Sequence, residues 1–188
     1  MFPRFPFNKN LVKQIVLALA ACAIMLWIVA RRDVPRAEAQ TQQPDYKSFE
    51  GPQVHPLAIT PDGMRLLAVN TPNNTLSVFY LSGGALTLVK EIPVGLEPVS
   101  VAVRNDREAW VTNWLSDTVS VVDLANGNVT QTIDVGDEPT DVLFAGQARE
   151  MAFVCVSGLS QVKVFDPNST AAAPQVINIR GKQPRSLT

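Results

Sequence analysis

Cysteine, histidine and concentrated positive charge are all scarce in this sequence, and each scarcity removes a class of function. The 188 residues include two cysteines and one histidine. Cys22 lies in an apolar leader and Cys155 in the run MAFVCV of residues 151–156. With the leader removed, Cys155 has no partner, so a disulfide framework within the chain is excluded and the thiol is expected as a small core residue. No Cys-x-x-Cys-His run, no paired histidines and no calcium-loop pattern occur. Haem and metal ions therefore have no visible ligand set, and no cofactor is expected. Residues 1–39 hold six basic residues against two acidic ones, whereas the remainder holds ten basic and fifteen acidic. A mildly acidic body without a basic stripe has no electrostatic footprint for nucleic acid.

What the first forty residues do contain is an address. Residues 15–30, IVLALAACAIMLWIVA, form an unbroken apolar run of 16, preceded by Lys9 and Lys13. That is short of the ~20 residues a spanning helix needs. Positive charge, an apolar helix and then Ala37-Glu38-Ala39 is the order of a signal peptide, with cleavage after Ala39. Two other readings also export the body. Residues 19–22, LAAC, match a lipobox with lipid on Cys22, although AIMLWIVA follows where lipoproteins turn polar. An uncleaved anchor would place Arg31 and Arg32 outside, against the positive-inside tendency. Residues 1–39 are thus assigned to a signal peptide or signal anchor, residues 40–52 to a polar linker, and residues 53–188 to the body. A periplasmic or extracellular location is expected, with membrane contact only through the N-terminal segment if it is uncleaved.

The body repeats. Pro56, Pro98, Pro139 and Pro184 are spaced by 42, 41 and 45 residues. Three further blocks stay in register: LLAVN, AWVTN and AFVCV; then TLSVFYL, TVSVVDL and QVKVFDP; then LTLVKEIPVG, VTQTIDVG and PQVINIRG. The units are 53–92, 93–133, 134–178 and an unfinished 179–188. Each complete unit holds four short runs rich in Val, Ile, Thr and Leu, separated by turn residues. In the middle unit the expected strands are 99–103, 108–113, 118–124 and 129–135. Asn126-Gly127 is the strongest hairpin signal, because both residues tolerate positive φ. Pro61-Asp62-Gly63 and Asn105-Asp106 are expected to turn the first run into the second in units one and two. Four strands per ~40 residues is the signature of a β-propeller blade. The fold class is all-β: four-stranded antiparallel blades, three complete and a fourth begun, in an incomplete ring behind an apolar N-terminal helix. Rings use ~4–8 blades, so a truncated chain is the main expectation and ring assembly from short chains the alternative.

Trp110-Val111-Thr112-Asn113, with WLSDTVSVVDLANGNVTQTIDVGDEP after it, resembles the YVTN family of β-propeller repeats, with Trp110 in place of tyrosine. The resemblance covers residues 55–188 and is strongest in the middle unit. Unit three reads FVCV, with Val156 where the family has asparagine, which puts an asparagine-held turn there in doubt. The resemblance implies an exported propeller of about seven blades, of lactonase-like or surface-layer type, or one carrying an appended haem domain.

His55, Glu97, Glu138 and Gln183 precede the four repeat prolines. Repeat geometry places them around one mouth of the central channel, either as a rim for a ligand or partner or as solvated loop positions. Trp110 is expected within or between blades. Trp114 is the better candidate for an exposed contact, and Asn113 should hold a turn through its amide. One histidine permits no repeated acid–base constellation, and no serine or cysteine carries a nucleophile motif. The expected function is an exported binding or scaffold module for a protein or small molecule at the propeller face. The alternative is a lactonase-like hydrolase, or the propeller part of a redox protein. Three Asn-x-Ser/Thr triplets (Asn73, Asn128, Asn168) occur at a frequency chance alone produces in such a composition.

Overall fold

A computed structural model describes residues 52–188, so the export segment and nearly all of the linker lie outside the described residues. Twelve strands form three antiparallel sheets of four, each in simple sequence order. The first sheet contains β1 (Leu57–Ile59), β2 (Arg65–Asn70), β3 (Thr75–Ser82) and β4 (Ala85–Pro93). The second contains β5 (Pro98–Asn105), β6 (Glu108–Asn113), β7 (Thr118–Asp123) and β8 (Asn128–Asp134). The third contains β9 (Pro139–Ala145), β10 (Met151–Val156), β11 (Gln161–Phe165) and β12 (Gln175–Asn178). The four runs expected in the middle unit are the four strands observed, within two residues at every end.

Period-two alternation decides how the sheets stack. On β6, Ala109 and Val111 turn toward the first blade and join Leu67, Val69, Leu76, Val78 and Ile92 in one buried cluster. Trp110, on the opposite face, joins Val119, Val121 and Ile133 against Val142, Val154, Val156 and Phe165 of the third blade. The inner strands of the middle blade are therefore covered on both faces, which is why β6 and β7 are buried almost throughout. Trp110 is fully buried and meets Phe144 edge-on, with ring centroids 5.4 Å apart. Its indole N–H donates to Glu108 at 2.9 Å, so the one polar atom of this large side chain is satisfied. On the first blade Ile59 is 58% exposed, although it stands where Val101 stands in the buried second blade. The fourth strands β4, β8 and β12 lie on the exposed outer side.

Turn chemistry follows the residues closely. Asn126-Gly127 does join β7 to β8, but only Gly127 takes a positive φ, of 68°. The Asp123 carboxylate accepts the N–H groups of Ala125 and Asn126 at 2.8 and 3.1 Å. The turn is thereby longer than a two-residue hairpin, closing through the Gly127 N–H to the Asp123 carbonyl at 2.7 Å. Donation from the Asn126 amide, then from Ala125, holds the Asp123 carboxyl below its ordinary value. Asn113 holds its turn as expected: its amide donates to Thr118 at 3.1 Å and to Ser120 at 3.0 Å. Gly95 packs so tightly against it that a Cβ there would stand 2.6 Å from Asn113 Cγ. In unit three this asparagine device is absent. Val156 is buried in its place, and the side chains over Gly136 are those of Leu159 and Lys163.

Blades two and three are also tied by charge. Arg104 donates to Glu150 at 2.8 Å and to Asn168 at 2.7 Å on the third blade, and to Glu108 at 3.2 Å on its own. Burial works against the charge on Arg104, yet Glu150 and Glu108 together raise its guanidinium above the ordinary value.

Candidate functional site at the innermost strands

The first strand of each unit packs beside the first strand of the next, β1 against β5 and β5 against β9. At the start of the first unit the backbone of His55 bridges in parallel to Ser100, where the Val101 N–H donates to the His55 carbonyl at 2.9 Å. This anchors His55 beside β5, and its ring reaches across to β9. His55 Nδ1 lies 3.0 Å from each carboxylate oxygen of Asp141. The Asp141 side chain is 1% exposed and the His55 side chain 48% exposed. An exposed imidazole is thus fixed by a buried carboxylate.

Asp141 gathers donors from every unit. Ser100 Oγ donates to its Oδ1 at 2.7 Å, the Val142 N–H to the same oxygen at 2.9 Å, and the Leu187 N–H to Oδ2 at 2.8 Å. A buried charge is tolerable only with such satisfaction. Both β5 and β9 carry a register irregularity at their first residues, beside Ser100 and Asp141. Such bulges re-aim side chains out of a regular ladder. Residues 183–188 lie alongside β9 without forming a strand. The Pro184 carbonyl accepts from Cys155 Sγ at 3.1 Å and from Thr140 Oγ1 at 3.4 Å. Burial pushes the Cys155 thiol above its ordinary value, with Thr140 opposing and the Asp141 charge adding. That environment suits an inert core thiol rather than a nucleophile.

The other rim candidates occupy a different kind of position. Glu97, Glu138 and Gln183 all take left-handed backbone, at φ 50°, 56° and 52°, whereas His55 does not. Their backbones are occupied: the Glu97 N–H donates to Asn74 Oδ1 at 2.8 Å and the Glu138 N–H to Asp117 Oδ1 at 3.1 Å. The Glu97 carbonyl accepts from the Trp114 N–H at 2.9 Å, and Glu138 from Ser157 at 2.9 Å. These residues shape the blade-to-blade turns, and Trp114 is half-buried beside one of them. The side chains brought together with His55 are Asp141 and Ser100, which the sequence reading did not single out. Each stands two residues after its repeat proline, and each is a polar residue inside a buried strand. That buried-polar signal is informative once burial is known.

Two clefts occupy other parts of the surface. One, of about 530 Å³, is lined by Asn105, Arg107, Asp123 and Thr130 among others; the second, of about 320 Å³, by Arg65, Tyr80 and Lys90 among others. Neither contains His55, Ser100 or Asp141. Among the described residues no group of three or more His, Cys, Asp or Glu side chains converges to hold a metal ion. Among them, too, no helix is long and apolar enough to cross a membrane.

Stacked four-stranded sheets with a polar site at the innermost strands define a propeller-type blade protein. Residues 54–158 match the SMP-30/Gluconolactonase/LRE-like region, and the chain belongs to that family. Among solved structures it is similar to hydrazine synthase from Kuenenia stuttgartiensis, with 25% identity and a TM-score of 0.63, covering 74% of this chain and 41% of that one. It is also similar to a protein assigned as a 6-phosphogluconolactonase from Bacteroides uniformis, with 20% identity, a TM-score of 0.59, and coverage of 69% and 45%. A counterpart from Bacteroides fragilis gives 17% identity, a TM-score of 0.56, and coverage of 68% and 39%. The chain spans less than half the length of each of these structures. No curated protein matches it.

Proposed function

We propose that the protein is an exported lactonase-type hydrolase, opening a small cyclic ester at the innermost strands with His55 as the general base. The observation that carries this is the His55–Asp141 contact: a buried carboxylate holds one ring nitrogen of an imidazole that is itself 48% exposed. A positioned base of this kind contributes about 10²–10⁴-fold to proton transfer. Membership of a family named for gluconolactonase, and likeness to structures assigned to phosphogluconolactone hydrolysis, support an ester ring as the substrate class. Export remains part of this proposal through residues 1–39.

The test is hydrolysis of glucono-1,5-lactone and γ-butyrolactone, followed by pH-stat. His55→Asn should lower turnover by about 10²–10⁴-fold with the fold retained, because the ring is half exposed and the asparagine amide can still donate to Asp141. Equal turnover in the variant removes His55 from the chemistry. A protein that binds these lactones without turnover is instead the binding module expected from the polar rim.

A further inference from the structure

We infer that the cleft of about 320 Å³ between the first and second blades is a binding site for a small amphipathic carboxylate, an acid carrying one apolar ring or a short chain. Its lining has the make-up of a ligand pocket, apolar walls with a few placed polar groups. Val78, Ile92 and Leu124 belong to the buried cluster between these blades and form the apolar wall. Arg65, Tyr80 and Lys90 supply the polar groups, and no aspartate or glutamate lines the cleft. Val89 and Lys90 both line it although they are consecutive, because β4 carries a bulge there. Lys90 faces Val78 and Leu88 faces Phe79, which leaves Val89 without an opposite residue. Such a bulge re-aims side chains out of strict alternation.

The blade fold does not need this lining. The strand register puts Arg65, Tyr80, Val89 and Lys90 where the second blade has Glu108, Asp123, Thr130 and Gln131. The third blade has Asp166 and Gln175 at the places of Tyr80 and Lys90. Asp123 and Asp166 each accept backbone N–H groups of the turn that follows, from Ala125 at 2.8 Å and from Asn168 at 3.0 Å. The first blade gives up that device: β3 runs on to Ser82 and turns at Gly83-Gly84, both at positive φ. Two cations and an aromatic ring thus stand where the neighbouring blades carry carboxylates and amides.

The two cations are positioned without being neutralised. Arg65 donates to the Asp106 carbonyl at 3.0 Å and Lys90 to the Asn126 carbonyl at 2.6 Å. Among the described residues no carboxylate forms an ion pair with either. The Asp62 carboxyl feels the Arg65 charge as the weakest of the influences that lower it. The Lys90 stem also lies over Gly127, where a Cβ would collide with it. A guanidinium has five N–H donors and an ammonium three, so most remain for a carboxylate that enters the cleft. Bonds of that charge-assisted kind are about twice as strong as neutral ones. The apolar wall adds the burial of the ligand's ring or chain.

4-Fluorophenylacetate titrated into the ¹⁵N-labelled full chain should give saturable shifts at the amides of Tyr80, Val89, Lys90, Leu124 and Ala125, with the His55 ring unmoved. Neutral 4-fluorophenylacetamide should bind about tenfold more weakly, the effect of losing a charge-assisted bond. Acetate, which keeps the charge and lacks the ring, should bind about tenfold more weakly as well. Two variants give the first blade the residues that the second blade carries at the same bulge. Lys90→Gln should weaken the acid about tenfold and leave the amide unchanged. Val89→Thr should weaken both ring compounds about threefold and leave acetate unchanged. Equal affinity for the acid and its amide, or for the acid and acetate, overturns the inference. So does a Lys90→Gln variant that binds the acid as tightly as the native protein, a set of shifts centred on another surface, or the absence of saturable shifts.

Discussion

Replacing Trp110 with alanine is expected to lower the folding free energy by about 3–5 kcal/mol, the range for deleting a large aromatic from a core. Three features place it in that range. The side chain is completely buried, it fills the space between the second and third blades, and it sits edge-on to Phe144. Collapse into the gap is limited because both walls are sheets held by ladders. Deletion also strips Glu108 of its indole donor, leaving it to Arg104 alone. Chemical denaturation measures the loss as a lower midpoint with an unchanged slope. Trp110→Phe keeps most of the ring area and should recover more than half of the loss.

The second large effect is expected from Asp141→Ala, at about 3 kcal/mol or more, because it leaves several donors without an acceptor in a buried place. Ser100, the Val142 amide, the Leu187 amide and His55 all lose their partner together. The loss should exceed that of Asp141→Asn, which keeps the shape and one acceptor oxygen. The same denaturation experiment compares the two, and equal losses would mean that the carboxylate's acceptor role contributes little. Asp141 is therefore expected to matter twice, as a clasp on the innermost strands and as the group that orients His55.

The blades were legible because their cause is local and repeated. Proline at the start of the first strand, alternating Val and Ile, and Asp/Asn/Gly turns each specify their own geometry, and they recur about every 42 residues. Trp110 was placed correctly from size alone, since an aromatic inside a strand run has few exposed places to go. The asparagine turn at Asn113 was legible from its motif, and so was its loss where Val156 takes over.

The site was only half legible, and the reason is physical. His55 stood out as the lone histidine, and its position before a repeat proline put it at the start of an inner strand. Its partner is 86 residues away, and nothing in local pattern announces that pairing. Repeat symmetry drew attention instead to Glu97, Glu138 and Gln183, which share a sequence position with His55. The structure shows that they share a left-handed turn that His55 lacks. Strict symmetry thus describes the scaffold, whereas the candidate chemistry arises where symmetry breaks: alanine, serine and aspartate at Ala58, Ser100 and Asp141, each two residues after its proline. Asn126 is a smaller instance of the same limit. Its type permits positive φ, but the Asp123 side chain selects a different turn.

The most direct test of the account is where a substrate-like molecule binds. Titrating δ-valerolactam, a ring amide that resists hydrolysis, into ¹⁵N-labelled protein reports this residue by residue. The account predicts that the shifted signals cluster at the His55 ring and at the amides of Ser100, Asp141, Val142 and Leu187. Shifts confined to the clefts around Asn105, Arg107 and Thr130 or around Tyr80 and Lys90, with the His55 ring unmoved, would contradict it.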